Sequence, residues 1–332
     1  MEPAQARNAR LAHQRGNNTA MTFGRILLVI TLFLAGCEEA IVAPTSVLTP
    51  KLRPVVLKPA VSDESVRIKS YYASVQARLL SQGKLRQEHS PKDAPFTAVD
   101  LVRNFERVAL YDEYTNEAGV FVEEQTSSYL RRWQKPVRIG LHFGASVTDT
   151  QKAKDKKLVS SFAARLGAIT GLNIRITNIR NANFVMLFLN RDEQQIDPGL
   201  LATTVPQLLP SIVREIETSP RNIFCVAYAL SNADSPTDYS GAVVLVKAEH
   251  SAIMRRSCIE EEMTQALGLA NDDPNIRPSI FNDDEEFALL TKHDEILLKM
   301  LYDPRLRVGM TPERARPLLR SVAEDALKSN RI

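Results

Sequence analysis

Residues 261–271 read Glu-Glu-Met-Thr-Gln-Ala-Leu-Gly-Leu-Ala-Asn, and their spacing is that of a three-point metal site. Positions i and i+4 share one helix face, a glycine lets the chain reverse, and a third side chain beyond it closes the site. Glu261, Gln265 and Asn271 hold the three ligand positions, Glu262 the place of a general base acting on metal-bound water, and Gly268 the turn. The donor chemistry argues against zinc. Hydrolytic zinc needs about three good ligands and must lower its water's pKa from about 15.7 to about 7. Glu261 can ligate zinc, but the amide oxygens of Gln265 and Asn271 are poor zinc ligands. An all-oxygen set suits calcium or magnesium better, and those ions ask for more ligands and usually more carboxylates. No metal and no other cofactor is therefore expected. Glu262 remains the one candidate general base, facing water that nothing activates.

Other residues do not rescue the site. His89, His142, His250 and His293 include no pair at i, i+4 and read as surface or helix-end histidines. The acidic run Asn282-Asp-Asp-Glu-Glu286 lacks the alternating ligands and the glycine of a calcium loop, and reads as a solvated helix start. No Gly-x-Ser-x-Gly elbow, P-loop, zinc finger or dinucleotide glycine motif is present. Glu261 and Gln265, one turn apart, are expected to bond each other and nearby backbone.

The elements that must position this frame follow from periodicity. Val66–Leu80 and Thr97–Leu110 carry apolar residues at helical spacing, with a polar break at Gly83–Pro95. Strands are expected at 137–143, 172–176, 184–189, 223–230 and 242–247, with a long helix over 149–169 between the first two. A short helix is expected at 207–217 and the motif helix at 257–267. Thr291 reads as the N-cap of a helix to Tyr302, with Asp294 in capping-box position. Thr311 and Pro312 open a last helix, to about Leu327.

Near the N-terminus, Arg25 precedes a short apolar run, Ile26–Leu34, and then Leu34-Ala-Gly-Cys37. This resembles a bacterial lipoprotein signal, with cleavage before a lipid-modified Cys37; the run is too short to span a bilayer. Residues 1–36 form the expected signal region, with Met21 a candidate start. That segment holds four arginines and one acid, the whole formal excess of +3, so the remainder is neutral. The basic balance thus gives no case for nucleic-acid binding. Residues 37–65, with Pro44, Pro50, Pro54 and Pro59, read as an extended tether. Cys225 and Cys258 remain as an even pair in an oxidising compartment, and a disulfide is expected to tie the motif helix to the sheet.

The frame at 261–271 resembles the zinc-peptidase helix H-E-x-x-H-x-x-G-x-x-H with every histidine replaced. Pro278-Ser-Ile-Phe281 resembles the turn beneath the zinc in metzincin peptidases, with Phe281 where methionine is usual. Leu290–Tyr302 resembles the closing helix of that class. The resemblance implies an α+β, zincin- or metzincin-like domain over residues 133–303. It implies a twisted mixed sheet of about five strands, a long helix, the motif helix and a helical C-terminal subdomain. Residues 66–132 are then an N-terminal helical extension and 304–332 a C-terminal helix. Four segments resemble a bacterial domain of unknown function found in predicted lipoproteins, over about 66–320. They are Asp100–Arg107, Glu261–Leu269, Ser279–Asp284 and His293–Leu306.

Together these readings describe a lipid-anchored protein of the bacterial cell envelope, facing the periplasm. Its metallopeptidase-like domain is expected to be non-catalytic, with a binding or structural role. The alternative is a metal-dependent hydrolase using Glu262 with a non-standard ligand set. A peptidase fold holds extended chain against its edge strand, so the groove beside 242–247 is the expected site for a peptide or protein partner.

Overall fold

A computed structural model describes residues 61–117, 120–195, 205 and 208–329, and assigns a backbone strand to Arg10–Ala12. The lipidation site Cys37 and the tether up to residue 60 lie outside the described residues. Strand β1 is Arg10–Ala12; helices α1 (Asp63–Ser81) and α2 (Ala98–Ala109) follow. Next come the hairpin β2 (Tyr111–Glu117) and β3 (Val120–Ser127), then β4 (Arg132–Trp133) and β5 (Val137–Phe143). Helix α3 (Asp149–Thr170), β6 (Ile174–Ile176), β7 (Phe184–Leu189) and α4 (Pro210–Thr218) lead to β8 (Cys225–Asn232) and β9 (Ser235–Lys247). Helices α5 (Ala252–Gln265), α6 (Lys292–Leu301) and α7 (Pro312–Ser329) complete the order. Among the described residues, no helix is long and apolar enough to cross a membrane.

The main sheet runs β1-β8-β9-β7-β5-β6, with β4 also paired to β9. Its pairings are parallel except that between β8 and β9, which form a hairpin with Cys225 opposite Val246. The mixed α+β character matches the expectation, and the sheet is larger than five strands. One expectation is corrected: residues 242–247 are no edge. β9 lies between β7, where Phe184 faces Ala242, and β8, where Ala229 faces Ala242. The physical sign was the unbroken apolar run Ala242-Val-Val-Leu-Val246. A strand buried on both faces and paired on both sides loses the alternation that a one-sided strand keeps.

Alternation survives in how those strands divide two cores. Phe184, Met186, Phe188, Ala227, Val244 and Val246 face the larger core, with Phe162 and Leu166 of α3 and Ile259 and Met263 of α5. Val185, Leu187, Val226, Tyr228, Val243 and Leu245 face the smaller one, closed by Ile212 and Ile216 of α4. A one-residue slip would exchange the two sets, which pins the register. On the larger face sits α5, with Cys258 joined to Cys225 of β8 by a disulfide.

The stretch 66–132 is not wholly helical, because it contains the β2–β3 hairpin and the start of β4. Helix α1 begins at Asp63 with Ser62 as its N-cap, so the last tether residues are helical. Helix α5 starts five residues before the expected 257.

Candidate functional site

Every residue of α5 from Ser257 to Gln265 is buried, including three consecutive glutamates. Buried carboxylates need partners. Glu260 has them: its oxygens accept from Arg256 Nε at 2.8 Å and the Leu290 backbone N–H at 3.1 Å, with Arg165 3.7 Å away. Three residues earlier than Cys258, Arg255 donates to buried Asp155 of α3 at 2.7–3.1 Å. The disulfide therefore holds one side of the helix to the sheet, and ion pairs hold another to α3.

Among the described residues, Glu261 and Glu262 make no ion pair. Their carboxylate oxygens and the Cys225 sulfur lie within 4.8 Å of one another. That sulfur is bonded to Cys258, so it offers no thiolate to a metal. Burial pushes both carboxyls well above the usual range. At Glu261 the charges of Glu262, Glu285 and Asp283 add to it. At Glu262 the charge of Asp272 adds to it, and the Ala227 amide opposes. Glu262 Oε2 has no hydrogen-bond partner among the described residues.

The other two frame positions serve the scaffold. Gln265 donates from Nε2 to Asp272 at 2.9 Å. Asn271 donates from Nδ2 to the Arg107 carbonyl at 3.1 Å and to that of Tyr111, which ties the turn to the end of α2. Gly268 makes the turn at φ +124°, where a Cβ would stand 2.5 Å from the Arg131 carbonyl oxygen and 2.9 Å from Leu301. The α5 C-terminus is capped by Trp133, whose Nε1 donates to Ala266 O at 2.8 Å, and by Tyr302, whose hydroxyl donates to Leu267 O at 2.9 Å. A zinc ion does not fit this arrangement. Imidazole and thiolate are missing from the frame positions, and the amide oxygens that Gln265 and Asn271 could offer are poor zinc ligands.

Phe281 is fully buried in the larger core. The turn that carries it follows a cis Arg277–Pro278 bond and is held by Asp294 of α6. That carboxylate accepts the Ser279 hydroxyl at 2.5 Å, the Ile280 N–H at 3.1 Å, and the Thr291 N–H and hydroxyl at 2.9 Å each. The expected capping box of Thr291 and Asp294 is present.

The histidines stand apart from the motif. His89 pairs with Glu295 at 3.0 Å. His142 lies half-buried on β5, and burial lowers its pKa. His250 and His293 flank helix starts, as expected, but neither is at the surface. His250 bonds Phe224 O at 2.7 Å and stacks on Tyr72; His293 meets Asn104 at 3.0 Å.

Sequence reasoning passed over Glu260, Asp155 and Arg255, and also the acidic loop's relation to the motif. Glu285, expected as part of a solvated helix start, is half-buried and close enough to Glu261 to push its proton affinity up. No helix starts there either; the next one begins at Lys292. Only contact across the fold reveals this convergence. The one available signal was three successive glutamates in a segment otherwise reading as core.

The fold and site together define a mixed α+β domain built around a largely buried, acid-rich helix. Residues 98–321, well over half of the chain, match the family described as "Protein of unknown function (DUF2927)", and the chain belongs to that family. No curated protein and no solved structure matches it.

Proposed function

We propose that this is a lipid-anchored envelope protein whose metzincin-like domain is non-catalytic and serves a binding or structural role. The observation that carries it is the engagement of the ligand-position amides, Gln265 with Asp272 and Asn271 with the Arg107 and Tyr111 carbonyls. With both amide nitrogens donating to protein groups, only amide oxygens are left to face a metal; these are poor zinc ligands, and Glu262 then has no activated water to deprotonate. The order of sheet, motif helix, glycine turn, Ser-Ile-Phe turn and closing helix supports the metzincin-like reading. Anchorage at Cys37, facing the periplasm, rests on the Leu34–Cys37 segment.

A partner surface follows from the topology. Arg10–Ala12 pairs with Tyr228–Leu230 on the outer side of β8. Cleavage before Cys37 removes that strand, and β8 then presents an open edge to an extended segment of a partner. The test is direct: the purified chain, supplied with zinc, is assayed for metal content and for hydrolysis of a peptide library. Neither stoichiometric zinc nor hydrolysis is expected. Peptide cleavage abolished by Glu262→Gln would overturn the non-catalytic reading.

A further inference from the structure

We propose that the open edge of β6, with the cavity beside it, takes up an extended acidic segment of a partner protein. β6 (Ile174–Ile176) ends the main sheet on the side away from β8, and among the described residues β5 is its one strand partner. The register fixes which backbone groups that pairing uses. Val137 N–H donates to Asn173 O at 3.0 Å and Thr177 N–H to Ile139 O at 2.8 Å, so Asn173, Arg175 and Thr177 turn their polar groups towards β5. In a parallel ladder the backbone groups of alternate residues point to opposite sides, which leaves the N–H and C=O of Ile174 and Ile176 directed outward. Such a row is a template for a further strand.

A cavity of about 580 Å³ lies along the same edge. Leu141, Ile176 and Ile179 give it an apolar floor, and Lys156 and Lys157 of α3 form a wall. Ile174 lies two residues from Ile176, on the same face of the strand, and packs against the larger core. Ile176 itself is 37% exposed, a large apolar side chain at the mouth of the cavity. An added strand would lay an apolar side chain beside it.

The charge around this edge selects the occupant. No acidic residue lines the cavity. From Lys156 to Arg191 the sequence contains no acid at all, although it carries two lysines and four arginines. Two of those arginines are engaged: Arg165 pairs with Glu295 at 2.6 Å, and Arg191 donates to Gln194 and the Glu217 carbonyl. Lys156, Lys157, Arg175 and Arg180 are exposed and, among the described residues, form no ion pair. The acid just before them, Asp155, is turned inward to Arg255 at 2.7 Å. Cations without a counter-charge attract an anionic partner and help to set its register. A concave apolar floor beside outward-directed backbone groups suits an extended peptide better than a flat anionic membrane. Its acidic side chains would meet the two lysines while its backbone pairs with Ile174 and Ile176.

The full chain is titrated against a short fluorescein-labelled peptide of alternating glutamate and valine, followed by anisotropy. Saturable binding is expected, weakening as salt is raised. The double variant Lys156→Glu/Lys157→Glu should bind about tenfold more weakly or worse. The double variant Lys69→Glu/Arg78→Glu makes the same change of charge at exposed α1 positions outside the cavity, and should bind as the unsubstituted chain does. Replacing two adjacent central residues of the peptide by proline, so that one lost N–H must face β6, should abolish binding. Absence of saturable binding, an equal loss in the two double variants, or undiminished binding of the proline peptide overturns the proposal. So does a preference for phosphatidylglycerol over phosphatidylcholine vesicles that Lys156→Glu/Lys157→Glu removes while the peptide fails to bind, which would assign the face to a membrane. Zinc content and peptide hydrolysis, which test the non-catalytic reading, are measured separately and move with neither outcome.

Discussion

Ser279 donates its hydroxyl to Asp294 at 2.5 Å, and the same hydroxyl oxygen accepts the Phe281 N–H at 3.0 Å. Through this one relationship the start of α6 dictates the shape of the turn beneath α5. Asp294 is fully buried, yet every group pointing at it is a donor or an adjacent histidine nitrogen. A carboxylate so surrounded is solvated by the protein.

Replacing Asp294 by Asn should therefore cost far more than its small change in shape. The amide presents hydrogens where the Ile280 and Thr291 N–H groups already point, leaving buried donors unmatched. A loss of about 3 kcal/mol or more is expected in urea unfolding, against about 1 kcal/mol for Ser279→Ala, which removes a single hydroxyl. Equal losses would show that the carboxylate is no hub.

The disulfide between Cys225 and Cys258 closes a loop of 33 residues. On the loop-entropy argument, reduction or a double serine substitution should lower stability by about 3–4 kcal/mol. Urea midpoints with and without reductant measure this. Because Arg255, Glu260 and the Trp133 and Tyr302 caps also hold α5, unfolding should stay cooperative, with a urea slope that rises as the uncrosslinked chain exposes more surface.

The legible parts of this fold are those where local pattern and final environment agree. Thr291 and Asp294 sit three residues apart before an apolar stripe, and the capping box follows from that alone. Phe184–Leu189 and Ala242–Lys247 are apolar enough to read as strands whatever their neighbours. Their order in the sheet is not local, so the expectation of an edge at Ala242–Lys247 fails. The hairpin of Tyr111–Glu117 and Val120–Ser127 is not predicted by apolar alternation, because its residues are largely polar. Within the site, the frame at 261–271 was visible from spacing. What its side chains do was not, since Asn271 bonds α2 and Glu261 meets an acidic loop, both contacts made only in the folded chain.

Gly268 should resist any side chain. Its φ of +124° disfavours L residues, and a Cβ would meet the Arg131 carbonyl at 2.5 Å. Backbone offers no flexible end to swing aside. Gly268→Ala is expected to cost about 2 kcal/mol or more in thermal or chemical unfolding, and a near-neutral result would show that the turn can re-form.

Two buried bases each contribute a rise of stability with pH, opposite in sign to the fall that the raised carboxyls of Glu261 and Glu262 contribute above the ordinary carboxyl range. Burial first, then the charges of Lys247 and Arg255, push His250 down to about 3, against an ordinary value of 6.5; its bond to Phe224 O opposes them. The unfolded chain then binds the proton first as pH falls. Stability from this group is complete above 6.5 and declines as pH drops from 6.5 towards 3. Burial likewise pushes Lys247 down to about 7 from 10.5, with Glu249 opposing and Arg191 assisting. Here too the unfolded state holds more protons, so stability rises between pH 7 and 10.5. The neutral amine still donates to the Ser219 and Pro220 carbonyls. Urea midpoints from pH 4 to pH 10, taken as differences between the unsubstituted chain and each variant, should show both contributions. His250→Gln should flatten the lower window and Lys247→Met the upper one, each leaving the other slope intact. A difference between the unsubstituted chain and either variant that stays flat through its window would contradict the burial of that base.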